Sequence, residues 1–122
     1  MGITYLFYYY DDVVAYATVS MTCIDNKDAP DRETLELFEK KKPPAMLIGQ
    51  LGVDNKWRKK GIGSYLCDWC YGLASMFSEE VGCRYLTLHT EKELILFYEK
   101  NGFKTMKPDK KSPIMVRRII NL

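Results

Sequence analysis

Along the chain, the first clear pattern is a run of β-branched and aromatic residues from Tyr5 to Ile24 (YLFYYYDDVVAYATVSMTCI), interrupted by Asp11-Asp12. Such residues suit a pleated, half-buried surface, and an acidic pair between two such runs is a turn signal. Two strands joined by a tight turn at Asp11-Asp12 are therefore predicted. The stretch that follows, DNKDAPDRETLELFEKKKPPA, is strongly charged and punctuated by prolines. Within it Arg32 to Lys41 predicts a short helix, with Asp31 as N-cap, an acidic first turn and a lysine-rich last turn. Leu35 and Phe38 would face inward, and Pro43-Pro44 would stop the helix. The segment reads as a surface insertion.

Ala45 to Val53 (AMLIGQLGV) is apolar and bounded by Pro and Asp, which predicts a mostly buried strand. Gly49 and Gly52 weaken a strand, so they mark a bulge or a close approach to the backbone. From Ile62 to Val81, Leu66, Trp69 with Cys70, Leu73 and Phe77 recur at spacings of three and four. That is the stripe of a helix lying on a sheet, with Gly82 as its C-terminal cap. Cys83 to Thr90 (CRYLTLHT) predicts a further strand. Glu91 to Gly102 predicts a second helix, with Leu94, Phe97 and Tyr98 on one face and Asn101-Gly102 at its end. Phe103 to Ile120 reads as a closing hairpin around a polar turn. This order specifies one α/β (α+β) domain over residues 1–122, a mixed sheet with helices packed on it.

Composition narrows the class. With 122 residues, 47% hydrophobic and 28% charged, the chain suits one soluble domain with a substantial core. No apolar run approaches a membrane span, and the N-terminus lacks the basic-then-aliphatic order of a signal peptide. The 4 cysteines are scattered and form no secreted disulfide framework, so a cytoplasmic protein without a membrane partner is expected. A net charge of +2 is too small to announce a nucleic-acid binder.

Local charge is more informative. In VDNKWRKKGIGSYL, Val53 to Leu66, basic residues lead into Gly61-Ile62-Gly63 between a strand and a helix. Glycines there let backbone N–H groups converge on one point, and the helix start adds unpaired donors: an anion site. A Walker loop is absent, and a dinucleotide fingerprint would need glycine where Leu66 stands. Cys67 and Cys70 form a Cys-x-x-Cys, but in the second turn of the helix, and one pair is half of a zinc site. Packing on the sheet explains them better, and no metal site is expected. The aromatic run Tyr5, Phe7, Tyr8, Tyr9 and Tyr10 has no interleaved arginines, so it reads as a core face or a dimer edge.

Arg58-x-x-Gly61-x-Gly63, after a strand and opening a helix, resembles the pyrophosphate loop of the GCN5-related N-acetyltransferase (GNAT) superfamily, Gln/Arg-x-x-Gly-x-Gly/Ala. QLGVDNKWRKKGIGSYL resembles its whole strand–loop–helix unit, and LFYEKNGFK its second signature, a helix ending Phe-Tyr-x-x-x-Gly-Phe. The likeness runs from Met46 to Lys104, about half of the chain. It implies a mixed, mostly antiparallel sheet with a V-shaped splay between central strands and helices on both faces. It also implies acetyl-CoA as co-substrate and direct acetyl transfer to a primary amine. The pyrophosphate would rest on backbone N–H groups from Lys59 or Lys60 through Gly61, Ile62, Gly63 and Ser64, with Arg58 and both lysines beside it. Leu51 and Val53 would pair with the pantetheine arm, Gly52 giving it room, and Tyr98 would be the general acid toward the CoA thiolate.

The resemblance leaves the base open, because Ile48, Gly49 and Gln50 stand where many relatives carry a glutamate. His89 or a water relay could neutralise the incoming ammonium, and Glu91 stands where many relatives have asparagine. Relatives begin with a strand and two helices that wall the acceptor pocket, whereas this chain starts almost at the hairpin. A second subunit in a homodimer could supply that wall. The acceptor is a small-molecule or protein amine of unspecified identity. The arrangement most resembles a branch of short acetyltransferases that includes toxins acetylating aminoacyl-tRNA. RNA is compatible with the basic loop, although CoA phosphates already account for its charge. A non-catalytic CoA-binding module is the remaining alternative.

Overall fold

In the computed structural model, which describes residues 2–24, 44–106 and 113–119, the chain opens on the antiparallel strands β1 (Ile3–Tyr9) and β2 (Asp12–Cys23). Their turn is Tyr10-Asp11, one residue earlier than the expected Asp11-Asp12, because Asp12 pairs with Tyr9. Tyr10 takes a φ of 54°, the positive value that lets a two-residue turn follow the twist of its strands. Then come β3 (Pro44–Val53), α1 (Ile62–Val81), β4 (Tyr85–His89), α2 (Ile95–Lys100), β5 (Lys104–Thr105) and β6 (Ile114–Arg118). The predicted insertion helix at Arg32–Lys41, with Leu35 and Phe38, lies outside the described residues, as does the turn of the closing hairpin at 107–112.

The sheet order is β1-β2-β3-β4-β6-β5. Every neighbouring pair is antiparallel except β3–β4, which α1 connects as the crossover that a parallel pair requires. On one face α1 lays Cys67, Cys70 and Ala74 against Val19, Met46, Ile48, Leu86 and Leu88. Small side chains bring the helix close to the sheet. The aromatics predicted on the same stripe sit at its margins: Trp69 meets Tyr5 and Phe7 edge-on at 4.9 Å, and Phe77 is 38% exposed. Tyr98 from α2 joins the same cluster, so both described helices bury into one face. The alternate residues Ala45, Tyr85 and Val116 form a second cluster with Ile24 on the other face.

The expected second helix is split. A 3₁₀ turn at Lys92–Leu94 precedes α2, and its three-residue period rotates the inward face. Leu94 is consequently 44% exposed, and Ile95 packs on the core instead.

Two irregularities in β3 shape the rest. The β2–β3 register pairs Val19 with Ile48 and Thr18 with Gln50, so Gly49 is the extra residue of a bulge. Pairing of β3 with β4 runs from Ala45–Tyr85 to Ile48–Leu88 and stops at the same place. A bulge bends its strand, so β3 diverges from β4 at Gly49 and a V-shaped gap opens. Gly52 has a different cause. It faces Tyr16 on β2, and a Cβ at Gly52 would overlap the Tyr16 ring. We expect Gly52→Ala to cost roughly 1–2 kcal/mol of stability by crowding that ring, and to cost little when Tyr16 is also Ala. Thermal denaturation of the four-member cycle measures this, and equal costs in both backgrounds would show that the Tyr16 ring is not what a Cβ at Gly52 crowds.

Candidate active site

The gap widens into a cleft of about 620 Å³. One wall is the end of β3 (Leu51, Gly52, Val53) and the loop that follows; the other is the segment holding Glu91, Glu93, Phe97 and Tyr98. The loop is folded by its own side chains. The Asp54 carboxylate accepts from the Lys56 N–H at 2.9 Å, setting a 3₁₀ turn over Asn55–Trp57. Arg58 Nε donates to the Val53 carbonyl at 3.3 Å, tying the loop back to its strand.

Beyond Arg58 the backbone alternates. Lys59 has a φ of 63° and Gly61 one of 80°, both left-handed, on either side of Lys60. Such alternation turns successive N–H groups toward one side, a geometry suited to an anion. Gly61 then caps α1 and, lacking a side chain, makes no cap hydrogen bond to the N–H groups of the first turn. Gly61, Ile62, Gly63 and Ser64 all line the cleft, and the positive end of the helix dipole points there.

The two loop glycines serve different needs. At Gly61 a Cβ would meet nothing within 4 Å, so the dihedral is what calls for glycine. At Gly63 a Cβ would stand 3.0 Å from the Phe97 ring, so the missing side chain is what lets α2 pack there.

Of the predicted phosphate ligands, Arg58 and Lys59 line the cleft and Lys60 does not. The Lys60 ammonium lies over the Trp57 ring, 5.8 Å from its centroid. Leu51, Gly52, Val53 and Tyr98 all line the cleft as expected, with the edge of β3 beyond Ile48 unpaired toward β4 among the described residues. His89 is elsewhere. It borders a separate cavity of about 100 Å³ with Cys23, Leu47 and Thr87. The alternation in β4 carried that signal, since Leu86 and Leu88 point to the helices and Thr87 and His89 the other way. Sequence reasoning passed over Trp57, Glu93 and Phe97 as cleft residues. For Phe97 the available cue was its place beside Tyr98; for the other two, no local pattern marks them.

Tyr98 is 8% exposed and wedged between Phe97 and Phe103, at ring separations of 5.1 and 5.7 Å. Burial pushes its phenol up to about 12, and the neighbouring Cys67 and Cys70 thiols act in the same direction. The group is thus a protonated donor at neutral pH. Burial likewise raises the Cys67 thiol to about 11 and the Cys70 thiol to about 12, so neither is a ready nucleophile or metal ligand. Among the described residues no cluster of three or more His, Cys, Asp or Glu could hold a metal, and no helix is long and apolar enough to cross a membrane.

These shifts have a signed consequence. An unfolded tyrosine titrates near 10, so burying Tyr98 protonated contributes stability below that pH that is lost as pH rises through about 12. The two thiols start the same decline from their ordinary 9. In melting curves recorded from pH 8 upward, Tyr98→Phe should make the fall between pH 10 and 12 shallower. An unchanged slope would place the phenol in contact with water.

Comparison with known proteins now adds the family. Residues 3–105 match the family model described as "Acetyltransferase (GNAT) domain". Among solved structures the fold is similar to that of a tyrosine-to-phenylalanine mutant of KacT, with a TM-score of 0.80, 19% identity, and coverage of 88% of this chain and 63% of that one. It is also similar to AtaT complexed with acetyl-methionyl-tRNAfMet, with a TM-score of 0.79, 19% identity, and coverage of 87% and 62%. A mutant AtaT toxin bound to the C-terminus of the antitoxin AtaR matches with a TM-score of 0.77 and 17% identity, covering 97% and 66%. The likeness at these identities is one of fold, and the chain spans a little under two thirds of the length of the first two. No curated protein matches it. The family model covers the cleft, its loop and Tyr98 in one span, and on that ground the chain belongs to the GNAT acetyltransferase domain family.

Proposed function

We propose that the cleft binds acetyl-CoA and that the chain transfers the acetyl group to a primary amine by direct attack. The observation that carries this reading is the meeting, in one cleft, of an anion hollow, an unpaired strand edge and a buried protonated phenol. The hollow at Lys59–Gly61 and the first-turn N–H groups of α1 would hold the pyrophosphate, with Arg58 and Lys59 beside it. The edge of β3 at Leu51–Val53 would pair with the amide-bearing pantetheine arm as a further strand would, and one of its N–H groups would polarise the carbonyl.

Bound acetyl-CoA supplies the thioester as acyl donor. The chain supplies position, exclusion of water and a proton. Tyr98 donates to the sulfur as the C–S bond breaks, its phenol kept protonated until then by burial. The incoming amine must lose a proton to attack. His89 is outside the cleft, so that proton leaves through water at the mouth, where Glu91 and Glu93 stand exposed.

A second reading concerns the acceptor: the amino group of an aminoacyl-tRNA. The similarity to AtaT complexed with acetyl-methionyl-tRNAfMet favours it. AtaT is also similar in its complex with AtaR, which makes a protein partner a further proposal for this chain.

Acetyl-CoA should raise the melting temperature of the chain, and Tyr98→Phe should lower turnover by roughly a hundredfold or more with CoA affinity unchanged. Release of free thiol, measured against a panel of small amines, peptides and aminoacyl-tRNAs, identifies the acceptor class. Binding without transfer to any of them would reduce the protein to a CoA-binding module. Unchanged turnover in the variant would remove Tyr98 as the acid.

A further inference from the structure

A row of aromatic rings beside the cleft has no part in acetyl transfer. Trp57 sits in the 3₁₀ turn just before the loop, with the Tyr9 ring 5.0 Å away and tilted by 55°. Tyr10 meets Tyr9 edge-on at 4.7 Å. Tyr9 is 54% exposed and Tyr10 is 86% exposed, unusual for rings whose burial would otherwise contribute much to stability. Trp57 has two roles at once: it packs on the cluster of Val14, Ala15 and Leu66, and it lines the cleft. The Lys60 ammonium over its ring, at 5.8 Å, is near the outer limit of a cation–π contact and therefore easily displaced.

We infer that Trp57 is the stacking surface for the adenine base of the CoA nucleotide, braced by Tyr9, and that Lys60 leaves the ring to meet the nucleotide's ribose phosphate. This rests on the acetyl-CoA reading of the cleft. Connectivity is the first argument. The adenosine hangs directly from the pyrophosphate, so its base lies within a ribose's reach of the loop. Trp57 belongs to that loop and faces the same cleft.

Availability is the second argument. Of the other rings lining the cleft, Phe97 is held against Gly63 and Tyr98 is buried. Charge is the third. CoA carries a phosphate on its ribose, and Lys60 is a loop cation that does not line the cleft and that rests on the Trp57 face, a contact weak enough to exchange for a phosphate. Stacking of a base on an aromatic ring is insensitive to base identity, so the ring supplies affinity and the attached groups supply selectivity.

The test compares three probes on the full chain: CoA, dephospho-CoA (no ribose phosphate) and 4′-phosphopantetheine (no adenosine). Trp57→Leu keeps apolar volume under the loop and should weaken CoA and dephospho-CoA by roughly tenfold while leaving phosphopantetheine unchanged. Trp57→Phe should retain most of the affinity. Lys60→Gln should weaken CoA and spare dephospho-CoA. In the unmodified protein, CoA should quench tryptophan fluorescence and phosphopantetheine should not. Equal losses for all three probes in Trp57→Leu, or equal quenching by CoA and phosphopantetheine, would overturn the assignment and leave Trp57 as a prop for the loop. Failure of the unmodified chain to bind any of the three would instead overturn the cofactor reading itself, and this inference with it.

Discussion

The architecture of the site depends on one constraint: β3 cannot stay paired with β4 beyond Ile48. The bulge at Gly49 absorbs one residue against β2 and bends the strand at the place where the parallel ladder ends. Three things follow from that bend. An edge of backbone is left facing a gap instead of a neighbour. The gap is bordered by Tyr98, which belongs to the helices' buried cluster. The loop after Val53 is carried out to the rim, where its cations and N–H groups can face inward.

The two ends of the cleft, the loop and Tyr98, are physically linked. Phe97 packs against Gly63 in the first turn of α1, and the next residue is Tyr98. Asn101 Nδ2 donates to the Phe97 carbonyl at 2.8 Å, and the Tyr98 carbonyl accepts the N–H groups of Asn101 and Phe103, so this short helix is clamped at its far end. An α2 of six residues has little stability of its own. Its position is set by this contact and by the core beneath it.

Much of the site was legible in the chain because its determinants are local. The glycine order after Arg58, the helix stripe, Gly82 as a cap (its N–H reaches Ser78 O at 3.2 Å) and Tyr98 near the end of a helix all reflect neighbours within a few positions. Less legible were features set by partners far away in sequence. The hairpin turn moved to Tyr10 because pairing across the strands, and not the acidic pair itself, chose the register. Gly52 proved to answer to a tyrosine on the adjacent strand. Lys60 turned to an aromatic ring rather than to the cleft.

By itself, the sequence determined the order of strands and helices from β3 onward and, through the resemblance of its two motifs, the family. The order follows from periodicity and turn residues, and the local shape of the loop from the dihedral freedom of Gly61, all properties of a short stretch of chain. Only the tertiary structure decided which side chains share the cleft. His89 left it because alternate residues of a strand face opposite ways, and Trp57 and Phe97 joined it because distant elements packed against the loop. Residue type says what a group can do, but proximity is set by how strands bend and helices pack, and no local pattern encodes that.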